Sequence, residues 1–176
     1  MEHISTKTGD SGQSENFVKE RFDKDDLLFE TLGTMDELSS FLGLSYQIRN
    51  YDYLRVIQQR LQDINSLIAT NPNHQLYAKL RPISEDDLSV LEKEEQILLD
   101  QTNIEPKFLL PGSDTSLSGS YVDVSRAIAR KAERRLVHFI KGTKRDDLNN
   151  PLKYMNRLSD FLFIYARFLS ETEAKK

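Results

Sequence analysis

The residues of this chain best able to do chemistry are three arginines and a glutamate in the stretch VDVSRAIARKAERRLVHFIK (122–141). Arg126, Arg130 and Arg134 recur every four residues, with Glu133 among them. At about 100° per helical residue these four side chains fall within about a 100° sector of one helix. Val124, Ile128, Ala132, Leu136 and Phe139 take the opposite side. Like charges four residues apart disfavour a helix, so the row calls for an anion: the carboxylates of a neighbour or the phosphates of a ligand. A solvated charged face is the bland alternative. A second candidate is Thr6-Lys7-Thr8-Gly9-Asp10-Ser11-Gly12-Gln13-Ser14, dense in hydroxyls and glycine with a lysine inside it. Glycine lets backbone N–H groups turn toward an anion, although no GK[ST] follows at Walker A spacing, and a flexible terminus reads the same way. The third is Phe108-Leu109-Leu110-Pro111-Gly112, an apolar triplet running into a turn. Its hydrophobes must be covered by the core or by a flat apolar ligand.

Composition narrows the chemistry. Cysteine is absent, which removes disulfides, thiolate nucleophiles and thiolate metal sites together. His3, His74 and His138 lie far apart with no ligand spacing, so a metal held by the protein itself is not expected. A net charge of −4 argues against nucleic acid as a partner. No apolar run approaches the ~18 residues of a membrane span. The polar first ten residues carry neither an apolar signal segment nor an Arg-rich transit stretch, so they do not set the compartment.

The elements that must position these residues are helices. Lys19 to Asp26 reads as a charged connector, and Thr34-Met35-Asp36-Glu37 as a T-x-x-E capping box opening a helix through Leu38, Phe41, Leu42 and Leu44. Asp36 then either favours the helix dipole or pairs with an arginine of the 126/130/134 row, within or between subunits. Leu54, Ile57, Leu61, Ile64 and Ile68 predict a second helix over 53–69. Ser84 with Asp87 caps a third, carrying Leu88, Leu91 and Leu98. Both read as structural. Residues 101–120 form the longest irregular stretch, the arginine helix follows to about Gly142, and Asn150-Pro151 starts the last helix. That helix turns Leu152, Met155, Leu158, Phe161, Leu162, Tyr165 and Phe168 inward, with Asn156, Arg157 and Asp160 polar near its start. Five helices without a convincing strand or repeat predict an all-α bundle. The expected division is one domain over 1–176, with an N-terminal loop and connector (1–33) leading into the bundle (34–176).

TKTGDSG (6–12), KDDLLFETLGTMDELSSFLG (24–43), FLLPG (108–112), SRAIARKAERR (125–135) and NRLSDFLF (156–163) together resemble the PduO-type ATP:cob(I)alamin adenosyltransferases. They follow the family's order along nearly the whole chain. The 24–43 segment is closer to the animal mitochondrial members than to bacterial ones, which usually have arginine where Leu28 stands.

The resemblance implies a five-helix bundle assembled as a homotrimer with active sites between subunits. It implies transfer of the 5′-deoxyadenosyl group of ATP to the cobalt of reduced cobalamin, with release of triphosphate. By similarity Thr6, Lys7, Thr8, Gly9, Ser14, Glu15 and Lys24 would hold ATP, joined by Arg130, Glu133, Arg134 and Asn156, with Mg²⁺ on the phosphates. Asp36 and Arg126 match a pair that bridges subunits beside the corrin, and Phe108 the apolar residue at the lower face of cobalt. Arg130, Lys24 and Phe108 would be the catalytic set. A cobalamin reductase and an adenosylcobalamin-dependent enzyme are the implied protein partners, and the mitochondrial matrix the implied compartment, with the cytoplasm as the alternative. The chain departs from the pattern at Asp123, where the family has histidine, at Ser113, where glycine is usual, and in a longer 108–126 spacing. These changes lie in the cobalamin-facing segment. They motivate an alternative, a catalytically weak paralogue that carries ATP or adenosylcobalamin, beside a third reading, a helical scaffold with an incidental arginine face.

Overall fold

A computed structural model describes residues 7–110 and 112–174. Five α-helices are present among them: α1 (Leu27–Arg49), α2 (Tyr53–Ala69), α3 (Glu85–Leu99), α4 (Leu117–Thr143) and α5 (Asn149–Ala174). Short 3₁₀ turns at Tyr77–Lys79 and Asp146–Leu148 precede α3 and α5. Helix α4 lies between α1 and α5, while α2 packs on α1 and α3 on α5. The core between them is aliphatic and aromatic, with Met35, Leu38, Leu42, Leu61, Leu91, Leu136, Met155 and Phe161 all sealed from solvent. Truncating any of these leucines to alanine would cost about 2–5 kcal/mol.

Helices α2 and α3 follow the sequence pattern. The Ser84 hydroxyl accepts the Asp87 N–H at 3.2 Å, and the Asp87 carboxylate accepts the Ser84 N–H at 2.8 Å, which closes the capping box. Helix α1 corrects the expectation. It begins at Leu27, where the Asp26 carboxylate accepts the Leu28 N–H at 2.8 Å. Thr34 is buried inside the helix and donates its hydroxyl to the Glu30 carbonyl at 2.7 Å. Glu37 is engaged elsewhere, with Lys131. The core stripe of α1 runs back through Leu28 and Thr31, so packing extends the helix past the apparent box. Asp36 therefore sits well beyond the first turn, and the dipole reading for it falls away.

Three further expectations are revised. Gln13–Glu15 (β1) and Arg21–Asp23 (β2) pair antiparallel, where no strand was expected. Their turn is organised by Asn16, whose side-chain oxygen accepts N–H groups from Val18 and Glu20, with Lys19 at φ 63°. Helix α4 starts at Leu117 on a Ser116 cap, inside the stretch expected to be irregular, and Val124 is 41% exposed rather than buried. Helix α5 starts at Asn149, so Asn150 is no N-cap; its amide donates to the Ile83 carbonyl and ties α5 to the approach of α3.

Close contact between α4 and α5 depends on Gly119. A Cβ there would lie 2.8 Å from the Ala166 carbonyl oxygen and 2.3 Å from Ser170 Oγ. At the other end of α4, Arg145 is buried and donates to the Leu67 and Thr70 carbonyls, closing the C-terminus of α2. Asp147 accepts from the same guanidinium and from the Tyr77 hydroxyl.

Candidate functional site

The functional residues fall into three groups. The first is the N-terminal loop with the hairpin behind it. Lys7 and Gly12 take positive φ, 59° and 81°, and turns close through Asp10 N–H to Lys7 C=O and Gly12 N–H to Gly9 C=O. The Lys24 N–H donates to the Gly12 carbonyl at 2.8 Å, which folds β2 back onto the loop. As a result the Lys24 ammonium lies over Gly9, 2.9 Å from where a Cβ would stand. The structure thus brings Lys24 to the Lys7–Gly12 turn. Ser14 and Glu15 belong to β1, and Thr8 is exposed beside Lys7. Thr6 lies outside the described residues, as do His3 and Pro111.

The second group is on α4 and α5. Asn156 donates to the Glu133 carboxylate at 3.1 Å, so two candidates from different helices meet. Arg130 and Arg134 are exposed and have no hydrogen bond or ion pair among the described residues. Their neighbours on the same helix differ. Lys131 pairs with Glu37 at 2.5 Å and Arg135 with Glu30 at 3.1 Å, both carboxylates coming from α1. The adjacent helix therefore neutralises the 131/135 row and leaves the 130/134 row open.

The third group surrounds a cavity of about 610 Å³ between the 103–114 loop and the α4–α5 face. Phe108 is 88% exposed, so core does not cover this part of the apolar triplet; Leu110 is exposed as well. Arg126 lines the same cavity, which joins two expected cobalamin residues in one place. The expected Asp36–Arg126 pair does not form within one chain. Arg126 Nε instead donates to Asp123 Oδ1 at 2.7 Å. Asp36 is exposed on α1, bordering shallow depressions shared with α2 and Phe17, and has no polar partner among the described residues. Arg167 and Phe163 also line the cavity, and neither was singled out from sequence. Their signal was a cation four residues after an aromatic on one helix, with the Arg167 guanidinium 5.1 Å from the Phe163 ring.

The arrangement offers loose cations for a polyphosphate, an amide–carboxylate pair between helices, and an aromatic-roofed cavity with an arginine at its edge. None of these supplies a general base next to a nucleophile. The cobalamin adenosyltransferase family model matches residues 4–169. The corrinoid adenosyltransferase MMAB of Mus musculus is 37% identical over 181 residues, covering 98% of this chain and 75% of that protein. The corrinoid adenosyltransferase of Bacillus subtilis is 36% identical over 175 residues, covering 95% and 86%. A variant PduO-type ATP:corrinoid adenosyltransferase from Lactobacillus reuteri, solved in complex with cobalamin and ATP, superposes with a TM-score of 0.87 at 28% identity, covering 98% of this chain and 96% of that one. With the family model spanning nearly the whole chain and relatives above a third identical along it, this protein belongs to the cobalamin adenosyltransferase family.

Proposed function

We infer that this chain transfers the 5′-deoxyadenosyl group of ATP to the cobalt of cob(I)alamin, giving adenosylcobalamin and triphosphate. Within the family assignment, one observation carries the reading: Arg130 and Arg134 stand unpaired among the described residues, while Lys131 and Arg135 beside them are matched to carboxylates of α1. In the reaction Co(I) donates an electron pair to the ribose C5′. The cobalt–carbon bond forms, the C5′–O5′ bond breaks, and the pair leaves on triphosphate oxygen, taking cobalt formally to Co(III). The substrate metal is the nucleophile, so the protein needs neither thiolate nor imidazole.

What the protein must supply is stabilisation of the leaving group and shelter for the metal. Arg130, Arg134, Lys7 and Lys24 would meet the triphosphate, where fixed cations act on accumulating charge. Thr6, Thr8, Gly9, Ser14 and Glu15 would complete the nucleotide loop, and the Glu133–Asn156 pair would face the nucleoside. Mg²⁺ would enter with the phosphates rather than on a protein cluster. Phe108 would cover the lower face of cobalt, displacing water there and making reduction easier. Asp36 has no partner of its own among the described residues, which fits a role between subunits of a homotrimer, where it would meet Arg126 of a neighbour. Sedimentation at the mass of three 20.4-kDa chains would support that assembly; a monomer with full activity would end it. The resemblance of the 24–43 segment to animal mitochondrial members supports residence in the mitochondrial matrix. A cobalamin reductase and an adenosylcobalamin-using enzyme would be the protein partners.

The deciding experiment mixes chemically reduced cobalamin and Mg-ATP anaerobically and follows the visible spectrum as the cobalt–carbon bond forms. Conversion requiring both protein and ATP is the expected result. ATP binding without turnover above an Arg130→Ala control would favour the weak carrier paralogue, the second reading that Asp123 in the cobalamin-facing segment keeps open.

A further inference from the structure

The cavity beside Phe108 holds an arrangement that the family resemblance did not foretell. Asp123 is 6% exposed, and its Oδ1 accepts from Arg126 Nε at 2.7 Å while lying 3.8 Å from Arg167 Nη2. One carboxylate on α4 thus faces two guanidinium groups, one from its own helix and one from α5. A buried carboxylate is tolerated only when charged donors surround it. Arg167 is itself only 11% exposed at its side chain, and its Nε and Nη1 have no partner among the described residues. Those two donors are sealed, so Arg167 stands behind Asp123 as a buried counter-charge, while Arg126, 27% exposed at its side chain, is the guanidinium open to the cavity. The remaining charged groups there, Glu105, Lys107, Asp114 and Glu171, line its other walls.

We propose that Asp123 is a positioning residue for the corrinoid: its carboxylate, braced from behind by Arg167, fixes Arg126 at the cavity edge, leaving the remaining N–H groups of Arg126 for carbonyl oxygens of the substrate's amide side chains. This rests on the adenosyltransferase reading. A corrin is flat and apolar in its plane and rimmed with amides, which matches an aromatic roof with guanidinium donors at the side. Histidine at position 123 could bond one arginine at most through a neutral acceptor nitrogen, whereas a carboxylate carries two oxygens and a charge. On this view the departure from the family's histidine is a working part of this cavity, not a loss.

The test measures KM for cobalamin, KM for ATP and kcat in wild type, Asp123→His and Asp123→Asn, with equilibrium binding of cobalamin alongside and thermal unfolding to establish folding. Asp123→His should raise the cobalamin KM and dissociation constant by about tenfold, the loss of one charge-assisted hydrogen bond, with the ATP KM within about twofold on the same basis. Asp123→Asn should fall between, because its amide oxygen still accepts from Arg126; if the histidine variant does not fold, this one decides. An unchanged cobalamin KM, an equal rise in both KM values, or a gain in activity on restoring histidine would each overturn the proposal. Wild type that binds cobalamin without turning over would fail the activity reading alone, and the binding series would still judge Asp123. Wild type that binds no cobalamin would overturn both.

Discussion

Replacing Gly9 by alanine should separate the placement of Lys24 from its presence. The new Cβ would stand 2.9 Å from Lys24 Nζ and 3.2 Å from its Cε, with the Gln13 carbonyl oxygen next at 3.6 Å. The obstructed atoms are the far end of a flexible side chain, so the ammonium yields while the backbone stays. Gly9 is not among the glycines at positive φ, so alanine brings no backbone strain. The fold should therefore be indifferent. The ligand should not be. Moving a unit charge from about 3 to about 4 Å from a phosphate oxygen, at an effective dielectric of about 20, weakens the attraction by about 1.4 kcal/mol, or tenfold. Gly9→Ala should raise the KM for ATP about tenfold with an unchanged Tm, and Lys24→Ala should raise it further. The cobalamin KM should hold in both, because the Phe108 cavity has no lining residue from the loop. Isothermal titration with a non-hydrolysable ATP analogue and steady-state kinetics would measure this. A normal ATP KM in Gly9→Ala beside a ruined one in Lys24→Ala would show that the ammonium does not act from above Gly9. Normal values in both would remove the loop from the nucleotide site.

Arg130→Ala should lower kcat by about 10²–10³, as loss of one preorganised donor to a charged leaving group does, with circular dichroism unchanged; near-normal turnover would mean that the triphosphate lies elsewhere. Asp36→Ala and Arg126→Ala should each weaken cobalamin use more than ATP binding, and equal losses for both substrates would contradict that division. Gly119→Ala should destabilise the bundle by about 1–3 kcal/mol, seen as a fall in Tm at fixed protein concentration, since the Ala166 carbonyl is backbone and has little room to move; an unchanged Tm would show that the α4–α5 contact is looser than drawn. Asp147 should make stability fall in acid. Burial pushes its carboxyl up, but hydrogen bonds from Arg145 and Tyr77 outweigh that and hold it below the ordinary range. A depressed carboxyl stabilises the fold above its unfolded value of about 3.9 and loses that contribution as pH drops through the folded value beneath it. Asp147→Asn should therefore lie below wild type in Tm at neutral pH and converge on it below about pH 4, and a gap that persists in acid would assign the effect to shape alone.

Local signals in the sequence located what local forces decide. The stripe of α2 and the Ser84–Asp87 box of α3 act within one or two turns, and both helices appear with the bounds those signals imply. The start of α1 was hidden because Thr34 and Glu37 mimic a capping box while spending their polar groups on Glu30 and Lys131. Nothing short of the α1–α4 packing distinguishes the two uses. The hairpin escaped because three-residue strands are too short for an alternating pattern, and its turn depends on one side chain, that of Asn16. Among the candidates, the structure sets Lys24 against the loop and Asn156 against Glu133. The place of Arg167 beside the Asp123–Arg126 pair was illegible, because a contact between α4 and α5 leaves no trace in the spacing along either helix. The Asp36–Arg126 pairing asks for a second subunit, which one chain cannot reveal.

The charges of α4 explain how one helix can serve two substrates. The cations of its 126–135 stretch meet three different fates. Lys131 and Arg135 are matched to carboxylates of α1 and hold the bundle together. Arg126 is matched to Asp123 at the cavity. Arg130 and Arg134, between those two sets of contacts, are matched to nothing among the described residues. Glu30 and Glu37 reach the 131/135 row because that side of α4 is turned toward α1, and they leave the 130/134 row without a carboxylate among the described residues. That arrangement leaves two like charges four residues apart, a small standing cost to the helix. A triphosphate would remove that cost and bind where its own charge grows as C5′–O5′ breaks. Eight residues, about 12 Å of helix, separate Arg126 from Arg134. A nucleotide lying along this face can therefore have its phosphates at the open arginines while its ribose extends toward the cavity where cobalt would sit. Moving one of the unpaired cations three residues back along the helix tests this directly. An Arg130→Ala/Ala127→Arg double variant keeps the helix charge but shifts it off the 130/134 row; restored turnover there would show that the net charge of α4, and not the placement of Arg130, is what the reaction needs.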